Sequence, residues 1–262
     1  MKQMHMKFSC GIFLLGMLFL TSCRSGYEIK NSHYQIDKVG GVMNRMDQTW
    51  DKEGDQNIVT VLKPYKDQVD QMMYEVIGKS DLTMDKGAPE SLLSNLVAEV
   101  LRLSAERVIG RPADFGLVNM GGLRNILPQG EITVGTVFEI LPFENSLCVL
   151  TLKGSDVNRL LEAIASRHGE GISGARLIIS KDGRLLEATV NGQPIKEENI
   201  YTVATIDYLA DGNGDMTALL QAVKRECPDG AILRDLFLKY VRKETAAGRN
   251  ITSHIDGRVT VK

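Results

Sequence analysis

The sequence predicts an α/β domain of the α+β type, with mixed sheets and helices packed outside them. Three observations carry this. Apolar runs of strand length are joined both by tight Asp-Gly and Asn-Gly turns and by amphipathic helical stretches, which implies a sheet that is neither purely parallel nor purely antiparallel. At 262 residues with 43% hydrophobic and 24% charged positions, the chain can bury a core. Lys and Arg number 31 against 33 acidic residues, so there is no basic field to hold a phosphate backbone, and nucleic-acid binding as a main role is excluded.

Taken in order, residues 1–22 begin with Lys2 and Lys7 and run apolar from Phe13 to Leu20. They then reach Leu20-Thr21-Ser22-Cys23. The layout is that of a secretory signal peptide, and its last four residues resemble a bacterial lipobox. Cys23 is therefore expected to become the lipidated first residue of an exported protein, tethered to a bacterial membrane. Residues 23–45 form a tether and a first strand at 33–36. The folded domain is expected over 46–262, opening on a polar stretch at 44–58. Once Cys10 has left with the signal and Cys23 is acylated, Cys148 and Cys227 can pair or stay as free thiols.

A helix beginning at Pro64 places Val69, Met72, Met73, Val76 and Ile77 on one face, a stripe suited to core packing. A second helix fits Ser91 to Ile109, buried along Leu92, Leu96, Val100 and Leu103 and stopped by Gly110 and Pro112. Phe115 to Asn119 reads as a buried strand. Another runs from Leu147 to Leu152, with Ser155 as a cap for the helix that carries Val157, Leu160, Leu161 and Ile164. Strands follow at 176–180, 186–190 and 201–206, turning at Asp182-Gly183 and Asn191-Gly192. Two helices and a strand at 258–261 complete the domain.

Three loops follow strands or helices and hold groups able to grip a flat polar ligand. They are Asn119-Met-Gly-Gly-Leu-Arg124, Leu141-Pro-Phe-Glu-Asn145 and Asp207-Tyr-Leu-Ala-Asp-Gly-Asn-Gly-Asp215. Gly121 and Gly122 let backbone approach a ligand, Asn119 offers a donor and an acceptor, and Arg124 carries a fork of donors. Phe143 and Tyr208 stand in loops, where two rings can sandwich a heterocycle. The bland alternatives are a tight turn with a surface Arg and half-buried rings. Asp211-x-Asn213-x-Asp215 opens like a calcium loop, yet Met216 replaces its turn glycine and Ala222 its final Glu.

The order and spacing of these loops resemble the C-terminal domain of the 5′-nucleotidase and UDP-sugar hydrolase family. The resemblance runs over 88–261, through Pro-Glu-Ser-Leu-Leu-Ser-Asn-Leu at 89–96, Leu-Pro-Phe at 141–143, Leu-Lys-Gly at 152–154, Ile-Ser-Gly at 172–174, Tyr-Thr-Val-Ala at 201–204 and Gly-Arg-Val at 257–259. It implies a nucleotide-binding half whose catalysis is done by a separate metallophosphoesterase domain with two metal ions. By the same resemblance, Phe143 and Tyr208 stack the base, and Asn119, Gly121 and Gly122 meet base or ribose edges. Arg124 reaches ribose or phosphate, and Asp215, with Asp211 as competitor, holds the ribose hydroxyls. Two departures stand out: Pro89 occupies the place of a phosphate-binding Arg, and the last loop is one residue longer than usual.

The sequence lacks the His-rich motifs of a binuclear phosphoesterase, and has no nucleophile elbow, zinc-protease motif or P-loop. No catalytic residue, metal or other cofactor is therefore expected in this chain. The expected function is nucleotide recognition for phosphomonoester hydrolysis, with divalent metals on a metallophosphoesterase partner. The alternative is a non-catalytic, membrane-tethered binder of nucleosides or nucleotides.

Overall fold

The computed structural model describes residues 55–262. The signal segment, Cys23, the strand expected at 33–36 and the polar stretch up to residue 54 lie outside them. The described part is one contact-linked unit.

Its first element is helix α1, Gln56–Met73, where the Asp55 carboxylate caps the Asn57 N–H at 2.8 Å. The helix starts eight residues before Pro64, and β1, Val76–Ser80, already contains Val76 and Ile77. The expected core stripe is therefore absent: no residue of α1 is buried. The chain turns at Tyr74, and α1 meets the rest of the domain mainly through its contacts with α4, Val134–Ile140.

Helix α2, Leu92–Ser104, starts one residue after the expected Ser91, which caps it, and continues past Ala105 as the single turn α3, Glu106–Ile109. Leu96 and Val100 are buried with Leu93, Val97 and Leu101, whereas Leu103 is 37% exposed, so the buried stripe is rotated from the one expected. α2 lies against β2, Phe115–Val118, at Gly116, where an added Cβ would stand 2.3 Å from the Ala98 carbonyl oxygen. Only a glycine lets helix and strand approach that closely.

After β3, Gly130–Thr133, and α4 come β4, Leu147–Lys153, and α5, Gly154–Ser166. The N-cap of α5 is Lys153, and Ser155 makes no cap, because β4 runs into the helix without a linker. β5, Gly171–Ser173, β6, Ala175–Ile179, β7, Leu185–Val190, β8, Gln193–Pro194, and β9, Ile200–Ile206, follow. The β7 to β8 turn has positive φ at Asn191 and Gly192, 51° and 72°, the left-handed pair that an Asn-Gly hairpin needs. Helix α6, Asp207–Ala210, β10, Lys224–Glu226, α7, Leu233–Ala246, and β11, Val259–Val261, close the chain.

Five strands form the central sheet in the order β10-β4-β9-β2-β5, four form a second in the order β11-β6-β7-β8, and β1 pairs with β3. Pairing is mixed, with β2 parallel to β9 and β11 parallel to β6. Phe115, Leu117, Leu150, Leu160, Val203 and Phe237 are fully buried around the central sheet. A disulfide between Cys148 and Cys227 resolves the two open thiols as a bridge from β4 to the end of β10.

Candidate functional site

Strand direction gathers the loops. β2 and β9 run parallel, while β4 and β5 run opposite to them. The C-terminal ends of β2 and β9 therefore share one end of the sheet with the N-terminal ends of β4 and β5. Four segments emerge there: 119–124, 141–146, 167–170 and 207–215. Backbone bonds tie them, Asp207 N–H to Ser146 O at 2.8 Å and Arg124 N–H to Ile140 O at 2.9 Å.

The first loop is a 3-10 turn, Met120–Gly122. It folds under the side chain of Asn119, so that a Cβ on Gly122 would stand 3.2 Å from Asn119 Oδ1. That oxygen is buried and accepts no hydrogen bond. An unpaired buried acceptor costs about 1–3 kcal/mol.

Gly122 lines a cleft with Val118, Leu141, Phe143, Asn145 and Ile206. The cleft encloses about 10 Å³, room for one water at most, and Phe143 forms part of its wall. The Phe143 ring is 47% exposed and carries the Arg124 guanidinium 5.9 Å above its centroid. Arg124 also donates to the Gly121 carbonyl at 3.3 Å. Beneath this loop Arg234 of α7 is buried, stacks 4.2 Å from the Phe138 centroid and donates to Pro142 O at 3.2 Å.

Tyr208 opens α6 and is 44% exposed. It belongs to the same end of the sheet without lining the cleft, and among the described residues the ring pair in contact is Phe237 with Tyr240. Asn213 Nδ2 donates to Tyr208 O at 2.9 Å and folds the last loop back on the Tyr208 backbone. The two acidic candidates of that loop face different partners. Asp211 pairs with Arg225 at 2.6 Å, beside the disulfide, whereas Asp215, at φ 64°, pairs with Arg167 at 3.1 Å.

Arg167 and Glu170 were not anticipated from the sequence. Glu170 is 4% exposed and accepts from Met120 N–H at 2.6 Å and from Arg167 Nε at 2.8 Å. Glu170 hydrogen bonding, then the charges of Glu170 and Asp215, raise the Arg167 pKa above its ordinary value despite partial burial. Arg167 thus joins the Asn119 loop to the Asp215 loop. Its segment also touches the family departure, since a Cβ on Gly169 would stand 2.2 Å from the Pro89 carbonyl oxygen.

A larger recess of about 250 Å³ lies at the far end of β5, lined by Glu99, Arg102, Ser173, Arg176, Asp256 and Arg258. Its three guanidiniums already pair with Glu99 or Asp256, so its donors are spent on the fold. Among the described residues no three of His, Cys, Asp and Glu are grouped to hold a metal ion.

The family model described as 5′-nucleotidase, C-terminal domain, matches residues 73–221, more than half of the chain. The chain belongs to this family. It is 26% identical over 223 residues to protein UshA of Yersinia enterocolitica, covering 82% of this chain and 40% of the relative. It is 28% identical over 237 residues to the cell wall protein Lmo0130 of Listeria monocytogenes, covering 79% of this chain and 29% of the relative. The crystal structure of a 5′-nucleotidase precursor from Thermus thermophilus superposes with a TM-score of 0.67 at 27% identity, covering 79% of this chain and 43% of that one. The chain thus spans less than half the length of these relatives, and its mixed fold is that of a 5′-nucleotidase C-terminal domain.

Proposed function

We propose that this chain is the nucleotide-recognition half of a 5′-nucleotidase, supporting hydrolysis of nucleotide phosphomonoesters in nucleotide catabolism. The hydrolytic step belongs to a metallophosphoesterase on a separate chain, which would carry the divalent metals. The observation that carries the reading is the orphaned Asn119 Oδ1, buried over Gly122, which lines the cleft together with Phe143. Such an acceptor suits the exocyclic amine or ring N–H of a base, the ring of Phe143 suits the face of that base, and Arg124 suits a ribose or phosphate oxygen. Tyr208 would cover the second face, and Asp215 would hold the ribose hydroxyls.

An exported chain tethered through lipidated Cys23 completes the reading. It rests on the sequence from Lys2 to Cys23 and accords with a relative that is a cell wall protein.

A second reading is a free-standing nucleoside or nucleotide binder. It is favoured by the loops being already tied together, through Arg167 to Asp215 and Asp207 to Ser146. Calorimetry with adenosine and AMP separates the two. Weak binding that tightens, with AMP turnover, when a metallophosphoesterase is added supports the first. Tight binding with no enhancement at any ratio supports the second, and no binding under either condition overturns both.

A further inference from the structure

We propose that the Cys148–Cys227 bridge is a thiol–disulfide exchange site, opened by a dithiol at Cys227 while the Arg225 guanidinium stabilises the sulfur anions released. Cys148 is fully buried in β4, whereas Cys227, one residue past the end of β10, is exposed. β10 is a three-residue strand at the edge of the central sheet, and the chain turns at Pro228–Gly230 directly after the bridge. An incoming thiolate therefore meets Cys227 Sγ from solvent, with Cys148 Sγ as the inner, leaving sulfur. Exposed disulfides are the ones that open readily and serve regulation.

The cation against the bridge sets it apart from a purely structural one. Arg225 Nε donates to Cys227 Sγ at 3.2 Å, and its Nη2 stands 3.9 Å from Cys148 Sγ. A disulfide sulfur is a weak acceptor, so the guanidinium gains little from these contacts while the bridge is closed. A thiolate is a full anion, and the same contacts become charge-assisted once it forms. Arg225 thus favours the open state over the closed one, and offsets the burial that disfavours a thiolate at Cys148.

The exchange balances in two steps. One thiolate of the dithiol bonds to Cys227 Sγ, the Cys148–Cys227 bond breaks, and its electron pair leaves on Cys148 Sγ beside Arg225. The second thiolate of the dithiol then bonds to the first, expels Cys227 as a thiolate and leaves the reagent as an intramolecular disulfide. Its two protons pass to Cys148 and Cys227, so the protein gains the two electrons that the dithiol loses. The same guanidinium reaches the Tyr208 loop. Arg225 Nη1 donates to Asp211 at 2.6 Å, and Asp211 ends α6 with its N–H on Asp207 O at 2.9 Å. With the bridge open, β10 keeps only its strand pairing with β4, and the anchor on Asp211 slackens.

The test treats the full chain with dithiothreitol at neutral pH without denaturant, traps free thiols with an alkylating agent and maps them by peptide mass spectrometry. Wild type is expected to label at both Cys148 and Cys227 while its circular dichroism stays that of the folded protein. R225A is expected to open at least fivefold more slowly, although it uncovers Cys227 further, and R225K to recover most of the rate. D211N, which leaves the guanidinium to the sulfurs, is expected to open faster than wild type. Hydrogen exchange in the reduced protein should quicken at least fivefold over 207–215 and stay unchanged over 115–118. A bridge that opens only in denaturant, an R225A rate equal to or above that of wild type, or a D211N rate below it overturns the exchange site. R225K and D211N decide the matter if R225A fails to fold. Unchanged hydrogen exchange over 207–215 overturns the link to the Tyr208 loop.

Discussion

The guanidinium of Arg167 donates to Asp215 Oδ2 across 3.1 Å, joining residues 48 positions apart, while its Nε holds the buried Glu170 at 2.8 Å. The two bonds differ in weight. Asp215 is 81% exposed, so water screens that pair to about 0–1 kcal/mol. Losing Arg167 also leaves Glu170 with Met120 N–H as its remaining partner. R167A is therefore expected to lower stability by about 1–3 kcal/mol in urea denaturation, and D215A by about 0–1 kcal/mol. If Asp215 rather than Asp211 holds the ribose, D215A weakens adenosine binding several-fold where D211A does not.

Phe143 and Tyr208 are exposed at one end of the sheet, out of contact with each other, and contribute little to the core. A base held by such rings gains about 1–3 kcal/mol from each. F143A and Y208A should each weaken nucleoside binding about 5- to 150-fold by calorimetry with thermal unfolding little changed, and Y208F should bind nearly as wild type. Unaltered affinity in F143A would remove the ring from the site.

Much of the central sheet was legible because its signals are local. Phe115–Val118 is a short apolar run bounded by turn residues, and Asn191-Gly192 specifies its own hairpin. α1 was misread for a physical reason. Val76 continues the four-three spacing of the helix beyond Met72, so apolar periodicity passes through the turn at Tyr74 as if the helix ran on, and it cannot show which stripe lacks a partner. The three loops were legible through their glycines and aromatics, and the structure brings them to one end of the central sheet. Their supports were not, since Arg167 meets Asp215, Arg234 meets Pro142 and Arg225 meets Asp211 only after the chain has folded.

Asn119 lets function and stability be told apart. Its Oδ1 is desolvated without a partner, so N119A should cost little stability, or even raise it, while removing the hydrogen bond to a base. G122A would press a Cβ to 3.2 Å from the same oxygen and displace the amide, although Gly122 does not require positive φ. Both variants are expected to weaken nucleoside binding at least fivefold with melting temperatures near that of wild type. A large fall in melting temperature for N119A would make the residue structural.

The Cys148–Cys227 bridge closes a loop across 79 positions and fastens the edge strand β10 to β4. Restricting the unfolded chain in this way contributes about 2–4 kcal/mol. The double variant C148A/C227A should therefore unfold at a lower denaturant concentration by that free energy, with an unfolding transition no longer sensitive to reductant. An unchanged midpoint would show the bridge to be energetically idle.

Glu99 supplies a pH-dependent term away from the cleft that Phe143 lines. Burial pushes its carboxyl up, but hydrogen bonds from Arg102 and Ser173 and the charges of Arg102 and Arg258 outweigh burial and hold it below its ordinary value of 4.5. A carboxyl depressed by folding contributes stability that is fully present above the unfolded value and lost as pH falls through the folded one. Wild type should thus exceed E99Q in stability at pH 7, and the gap should narrow steadily as the solution is acidified below about 4.5. Urea denaturation of both proteins across that range measures it. A gap that widens on acidification would mean that burial prevails over the Arg102 pair.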